Sequence, residues 1–140
     1  MSTTCVTRTG SVGVTADVWT ALTAEGTVTT PGQAKVPSDK TKIKSIVVGI
    51  GDKAPTAGIH AHSYLLKLDG SGMADGEQIF NLGSTTVNIV TKGPSGEPTG
   101  AARYDVDVNV KPNGPINFYV CSTAGLIGGE PYVGVTLVLQ

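Results

Sequence analysis

The sequence predicts an all-β fold, an antiparallel β-sandwich of roughly eight short strands, on three observations. First, Tyr104, Val106, Val108 and Val110 alternate with Arg103, Asp105, Asp107 and Asn109, and beyond Lys111-Pro-Asn-Gly-Pro115 the alternation resumes. There Ile116, Phe118 and Val120 stand against Asn117, Tyr119 and Cys121. Period two marks a strand with one buried face. Second, Gly- and Pro-rich turn signals recur at the short intervals of a sandwich or barrel. Third, apolar residues nowhere recur at i, i+3, i+4 and i+7 over three turns, so no long amphipathic helix is expected.

The elements follow in order within a chain read as one domain, residues 1–140. Residues 1–32, rich in Thr, Gly and small apolar types, are expected to form an extended N-terminal arm or swapped strand. Within it Val12, Val14, Ala16 and Val18 at period two, followed by Trp19, supply a strand, and Thr27-Val-Thr29 a second. Residues 22–26 have room for a brief helical turn. The core strands are expected over 41–140. Residues 42–50 are a β-branched run whose centre, Ile46-Val-Val48, predicts burial on both faces. Residues 51–58 read as a loop, 59–68 as a strand with Tyr64, Leu66 and Leu68 on one face, and Asp69-Gly-Ser-Gly72 as its end. Two further strands fit 78–82 and 85–91, separated by Gly83-Ser84. Residues 93–100 and 125–131 are loops, and 132–139 is the last strand. Between 104–110 and 116–121 the pattern predicts a hairpin with Val110 facing Ile116. Asn113-Gly114 suits a two-residue turn, but Pro115 has no N–H to close it, so a looser five-residue loop is expected.

At 140 residues the chain buries roughly 68% of the surface its unfolded form exposes, so neither disulfides nor a metal is needed for stability. Charge is sparse at 15%, against about 25% in ordinary soluble domains. There are 19 glycines, about twice the usual share. The mean hydropathy is slightly positive at +0.09. A surface this poor in charge is expected to be covered in part by copies of the same chain. The formal net charge of −1 argues against direct nucleic-acid binding, which needs clustered Lys and Arg. Lys35, Lys40, Lys42 and Lys44, with Lys53 nearby, are interrupted by Asp39 and Asp52 and read as a solvated face. No apolar run approaches the ~20 residues of a membrane span, and residues 1–5 lack the features of a signal peptide.

Candidate chemical sites each meet a structural objection. Gly49-Ile-Gly51-Asp-Lys-Ala54, with Asp69 downstream, has the outline of a dinucleotide fingerprint, but Pro55 and Gly58 deny it the helix that holds the pyrophosphate. His60 and His62 point the same way on a strand and suit a metal, yet spacing supplies no third ligand. They are the only histidines, and neither Cys121 nor any Ser stands in a G-x-S-x-G elbow. Asp105 and Asp107 with Asn109, and the Asp69, Asp75 and Glu77 loop, offer oxygens for acid–base chemistry or Ca²⁺ without matching an EF-hand. No catalytic, cofactor-binding or metal residue is therefore assigned, and the chain is not expected to be an enzyme. Cys5 and Cys121 fit no disulfide framework, and free thiols are expected. Alternation places Cys121 opposite Phe118 and Val120, hence exposed and available to Cys5 or to a neighbouring chain.

Strand rhythm over 41–140, Gly/Pro loops, an uncharged N-terminal segment and a low-charge surface resemble the single jelly-roll virion proteins. The resemblance implies two four-stranded sheets and a structural, self-assembling role as capsid shell subunit or shell-decorating protein. It also implies partners that are copies of itself or other capsid proteins, and a virion location after synthesis in a host cytoplasm. The Arg-rich arm of many RNA-virus relatives is missing, which tilts the expectation away from genome packaging. The alternative is a β-sandwich carbohydrate- or ligand-binding module, for which Trp19, Tyr119 and Tyr132 are the available aromatics.

Overall fold

The computed structural model describes residues 3–11, 18–24, 33–52, 58–89, 100–122 and 131–140. Alternation shapes its long strands: β1 (Thr4–Ser11), β5 (Lys42–Asp52), β6 (Gly58–Asp69), β7 (Gln78–Ile89), β8 (Gly100–Asn109), β9 (Pro115–Ser122) and β10 (Pro131–Leu139). Three two-residue pairings, β2 (Thr20–Ala21), β3 (Thr23–Ala24) and β4 (Ala34–Lys35), complete the set, and no helix occurs among the described residues. One sheet has the order β3-β1-β10-β5-β8; the other has β2-β9-β6-β7, with β4 also on β9.

Leaving β3 and β4 aside, the eight remaining strands pair first with last, second with seventh, third with sixth and fourth with fifth. These pairs are β1·β10, β2·β9, β5·β8 and β6·β7, all antiparallel. The contacts β10·β5 and β6·β9 then close each sheet. An antiparallel ribbon wrapped in this way is a jelly roll, so the expected all-β sandwich is the fold observed.

The inward residues form one core. Val133, Val135, Leu137 and Leu139 of β10 and Ile43, Ile46 and Val48 of β5 face Tyr64, Leu66 and Leu68 of β6 and Ile116, Phe118 and Val120 of β9, all buried. At the centre of β5, Ser45 and Ile46 are consecutively buried while Val47 is half-buried, because register shifts around Lys44 put the strand out of phase. Tyr104 of β8 points inward and its hydroxyl donates to the Leu82 carbonyl of β7, tying the two sheets together at the β7/β8 side. On the opposite side β2 joins one sheet and β3 the other. Between them Leu22 is fully buried and its N–H donates to the Phe118 carbonyl at 3.0 Å.

Several sequence expectations are corrected here. The predicted β8–β9 hairpin is instead an arch: both apolar faces do meet one core, but the strands lie in opposite sheets. β9 already has β6 on one edge and β2 and β4 on the other, so no edge is left for β8. The connection is a four-residue turn in which the Gly114 N–H donates to the Lys111 carbonyl at 3.1 Å. Pro112 and then Asn113, at φ 66, fit the second and third positions of a type II turn. The helical turn over 22–26 is absent at Thr23–Ala24, which pairs with Arg8 and Thr9. Gly83-Ser84 does not divide two strands; β7 runs through it, and a register shift against β6 absorbs the irregularity. Thr4–Ser11 does not extend away as an arm but pairs along its length with β10 of its own chain. The expected strand around Val12–Ala16, the pair at Thr27–Thr29, and most of the loops at 93–100 and 125–131 lie outside the described residues.

One end of the sandwich is bound by backbone contacts between loops. Gly72 donates to the Pro115 carbonyl and its own carbonyl accepts from Lys111, both at 2.8 Å, while Met73 and Val110 form an isolated bridge. Gly72 and Gly114 are pressed so closely that a Cβ on Gly114 would lie 2.5 Å from the Gly72 Cα. Gly49, by contrast, has nothing within 4 Å of such a Cβ. Gly114→Ala should therefore cost about 2 kcal/mol or more by overpacking against fixed backbone, and Gly49→Ala less than about 0.5 kcal/mol. Urea denaturation of both variants checks this; equal losses would contradict the close approach.

Candidate functional site

The side chains of both sheets fill the interior, so the two outer sheet faces are the surfaces the sandwich presents. On the β1–β10–β5–β8 sheet, registered pairs define transverse rows. Thr7, Thr136, Val47 and Arg103 form one, and Cys5, Val138, Ser45 and Asp105 the next. The Thr7 and Thr136 hydroxyls are 2.8 Å apart and hydrogen-bonded. Cys5, Thr7 and Thr9 of β1 and Gly134, Thr136 and Val138 of β10 share this face, so these two strands present no charge on it among the described residues.

Charge on this face is confined to its β5/β8 margin and is compensated there. Lys42 donates to Asp107 at 3.0 Å, Lys44 lies 3.7 Å from the same carboxylate, and Arg103 donates to Asp105 at 3.4 Å. The Lys42 hydrogen bond, together with the charges of Lys42 and Lys44, holds the Asp107 carboxyl below the usual carboxylate range. Asp105 and Asp107 are thus exposed partners of cations. For Asp107 this is the opposite direction from the raised pKa that a general acid needs.

The outer face of the second sheet carries an aromatic cluster. The Lys67 ammonium lies 4.7 Å from the Trp19 ring centroid and 4.8 Å from that of Tyr119, with Glu77 3.7 Å away. Tyr119 reaches this face by alternation against the buried Phe118 and Val120. Trp19 arrives one residue ahead of β2, whose Ala21 pairs with Tyr119. The ammonium stands over both rings, an arrangement worth about 0.5–2 kcal/mol. Ring faces covered by a cation are poor platforms for a sugar, although Ile79 beside Lys67's own registered position is 55% exposed.

The other candidates do not converge. The Asp69, Asp75 and Glu77 carboxylates are dispersed: Asp69 accepts from Asn117, Asp75 accepts from Asn109, and Glu77 faces Lys67. No group of three potential metal ligands occurs among the described residues. The strand β5 continues through Gly49, Gly51 and Asp52, so no helix opens at the glycine pair, while Lys53 and Ala54 lie outside the described residues. His60 and His62 register with Val87 and Thr85 on β7; their side chains are not among those described, nor is that of Tyr132.

Two expectations are corrected by burial. Cys121 is 2% exposed, not open to solvent, although alternation gives it the face of Leu65 and Tyr119. Cys5 is exposed, and no disulfide joins the two. Lys40, expected on a solvated face, is 3% exposed and bonded to Asp39 at 3.1 Å. The sequence reading also missed Arg8, which registers with the inward Val135 and lies 6.0 Å from the Phe118 ring. It donates to the Thr7 and Gln33 carbonyls, and burial pulls its pKa below the ordinary value. Its parity with Val6 on β1 was the available signal.

No family model and no curated protein matches the chain. Among solved structures, a chain in the structure of infectious bursal disease virus, Gx strain, is 11% identical, with 99% of this chain and 33% of that one covered and a TM-score of 0.37. A chain in the structure of the Gt strain is 14% identical, with 99% and 37% covered and a TM-score of 0.33. This chain spans about a third of their length. Likeness at those scores carries nothing about chemistry.

The aromatic cluster has a direct test, since Trp19 is the sole tryptophan. Lys67→Met should change Trp19 emission and lower stability by about 0.5–2 kcal/mol in urea denaturation. Unchanged emission with unchanged stability would show that the ammonium does not hold the rings.

Proposed function

We propose that this chain is a structural, self-assembling virion protein without catalysis, serving as a capsid shell subunit or as a protein decorating the shell. The observation that carries the reading is the uncharged outer face of β1 and β10. A sheet face left permanently in water ordinarily carries interspersed charge, and depletion of charge is characteristic of surfaces that copies of a chain cover. The jelly roll suits the role, since its loops and outer faces are free to meet neighbours, but the fold hosts many functions and is only supporting.

The remaining surface agrees. Lys40, Lys67 and Arg103 each stand beside a carboxylate of their own and Lys42 and Lys44 share Asp107, so these cations form no extended basic patch for a polyanion, and packaging of nucleic acid is not part of the proposal. The partners are copies of the chain and other capsid proteins, and the location is the virion after synthesis in a host cytoplasm. No helix among the described residues is long and apolar enough to cross a membrane. A carbohydrate- or ligand-binding module is the second reading, supported by Trp19 and Tyr119 standing on one face and weakened by Lys67 over both rings.

Sedimentation velocity of the purified chain at tens of micromolar and physiological salt decides between them. The proposal expects closed or extended assemblies many times the 14.3 kDa chain mass. A monodisperse monomer would contradict self-assembly and favour the binding module.

A further inference from the structure

We infer that the outer face of the β1–β10–β5–β8 sheet docks against the same face of a second copy, about a two-fold axis that crosses the strands. The inference rests on the self-assembly reading and adds to it the surface and the geometry. Its physical basis is the distribution of charge. On this face β1 and β10 are uncharged among the described residues and carry small side chains, so a second sheet can approach those two strands closely without desolvating an ion. At the β8 margin two opposite charges stand two residues apart, Arg103 with 65% and Asp105 with 87% of the side chain exposed.

Two ways of laying such a face on its copy differ in electrostatics. An axis parallel to the strands puts the charged β8 margin of each copy over the uncharged β1 side of the other, where its ions lose water and gain no counter-charge. An axis across the strands lays β8 on β8 in reversed direction. When that axis passes midway between the Arg103 and Asp105 rows, each Arg103 faces the partner's Asp105, and Thr136 faces the partner's Val138. The arrangement is isologous and lays no ion over the uncharged β1 and β10; Lys42, Lys44 and Asp107 then lie over the partner's β5 and β8. A copy of the chain is therefore the occupant that this pattern fits; a polyanion finds no net positive charge in the Arg103 and Asp105 pair.

Three variants test the inference by sedimentation, each with circular dichroism to show that the sheet signal is retained. Thr136→Lys puts an unpaired cation in the centre and should weaken association by roughly tenfold or more. Arg103→Asp should also weaken it, and the exchange Arg103→Asp with Asp105→Arg should restore it, since an isologous contact regains both pairs. Wild-type association of Thr136→Lys would overturn this face while leaving self-assembly intact. Failure of the exchange to restore the Arg103→Asp defect would overturn the axis. A wild-type chain that is monomeric would overturn both the inference and the reading beneath it.

Discussion

Between Val110 and Ile116 the backbone leaves one sheet and enters the other, and the arrangement of both sheets depends on how that crossing is held. The Val110 N–H donates to the Thr41 carbonyl, Lys111 to Gly72, and Asn113 to Val36, so the β4–β5 and β6–β7 connections both grip the turn through contacts of 2.9 Å or shorter. Side chains at Gly72 or Gly114 would force these strands of backbone apart. With the crossing fixed, β8 is committed to β5 and β9 to β6, and the inner rows of the two sheets are brought face to face. Gln140 pairs in both directions with Lys42, so the end of β10 is fastened to the same corner.

The opposite flank is closed differently. There the chain passes from β2 to β3 with Leu22 between, and the inward Arg8 spreads its hydrogen bonds over Thr7 and Gln33. Gln33 in turn donates to Asn117, which donates to Asp69. Short pairings of two residues cannot by themselves order a segment at a cost of about 1–2 kcal/mol per residue in backbone entropy. The buried Leu22 and the Trp19, Lys67 and Tyr119 cluster supply the additional contacts that hold this segment against both sheets.

Alternation told which residues of a strand face inward, and for Tyr104 to Val110 and Ile116 to Val120 it was right. It is silent on which strand lies alongside, because a hairpin and an arch have the same apolar pattern and Lys111-Pro-Asn-Gly114 serves either. The occupied edges of β9 decide between them, and those edges are filled by strands about fifty to a hundred positions away. The burial of Cys121 and of Lys40 is likewise invisible to alternation. The cluster at Lys67 escaped notice for the same reason: its partners are brought in by β2 and β9, distant in sequence. What the composition did carry was the shortage of charge, and the structure adds its location. The shortage is concentrated on the outer face of β1 and β10, while Lys40, Lys42, Lys44, Lys67 and Arg103 elsewhere stand beside carboxylates.

Self-assembly of this kind requires that one outer face be covered and the other open when chains associate. Hydroxyl-radical footprinting of associated and dilute material reads this directly at side chains. Covering of the first face predicts that Cys5 and Val138 lose reactivity on association, while Trp19, Tyr119 and Ile79 on the second sheet keep theirs. Protection of Trp19, Tyr119 and Ile79 with Cys5 and Val138 still reactive would contradict it.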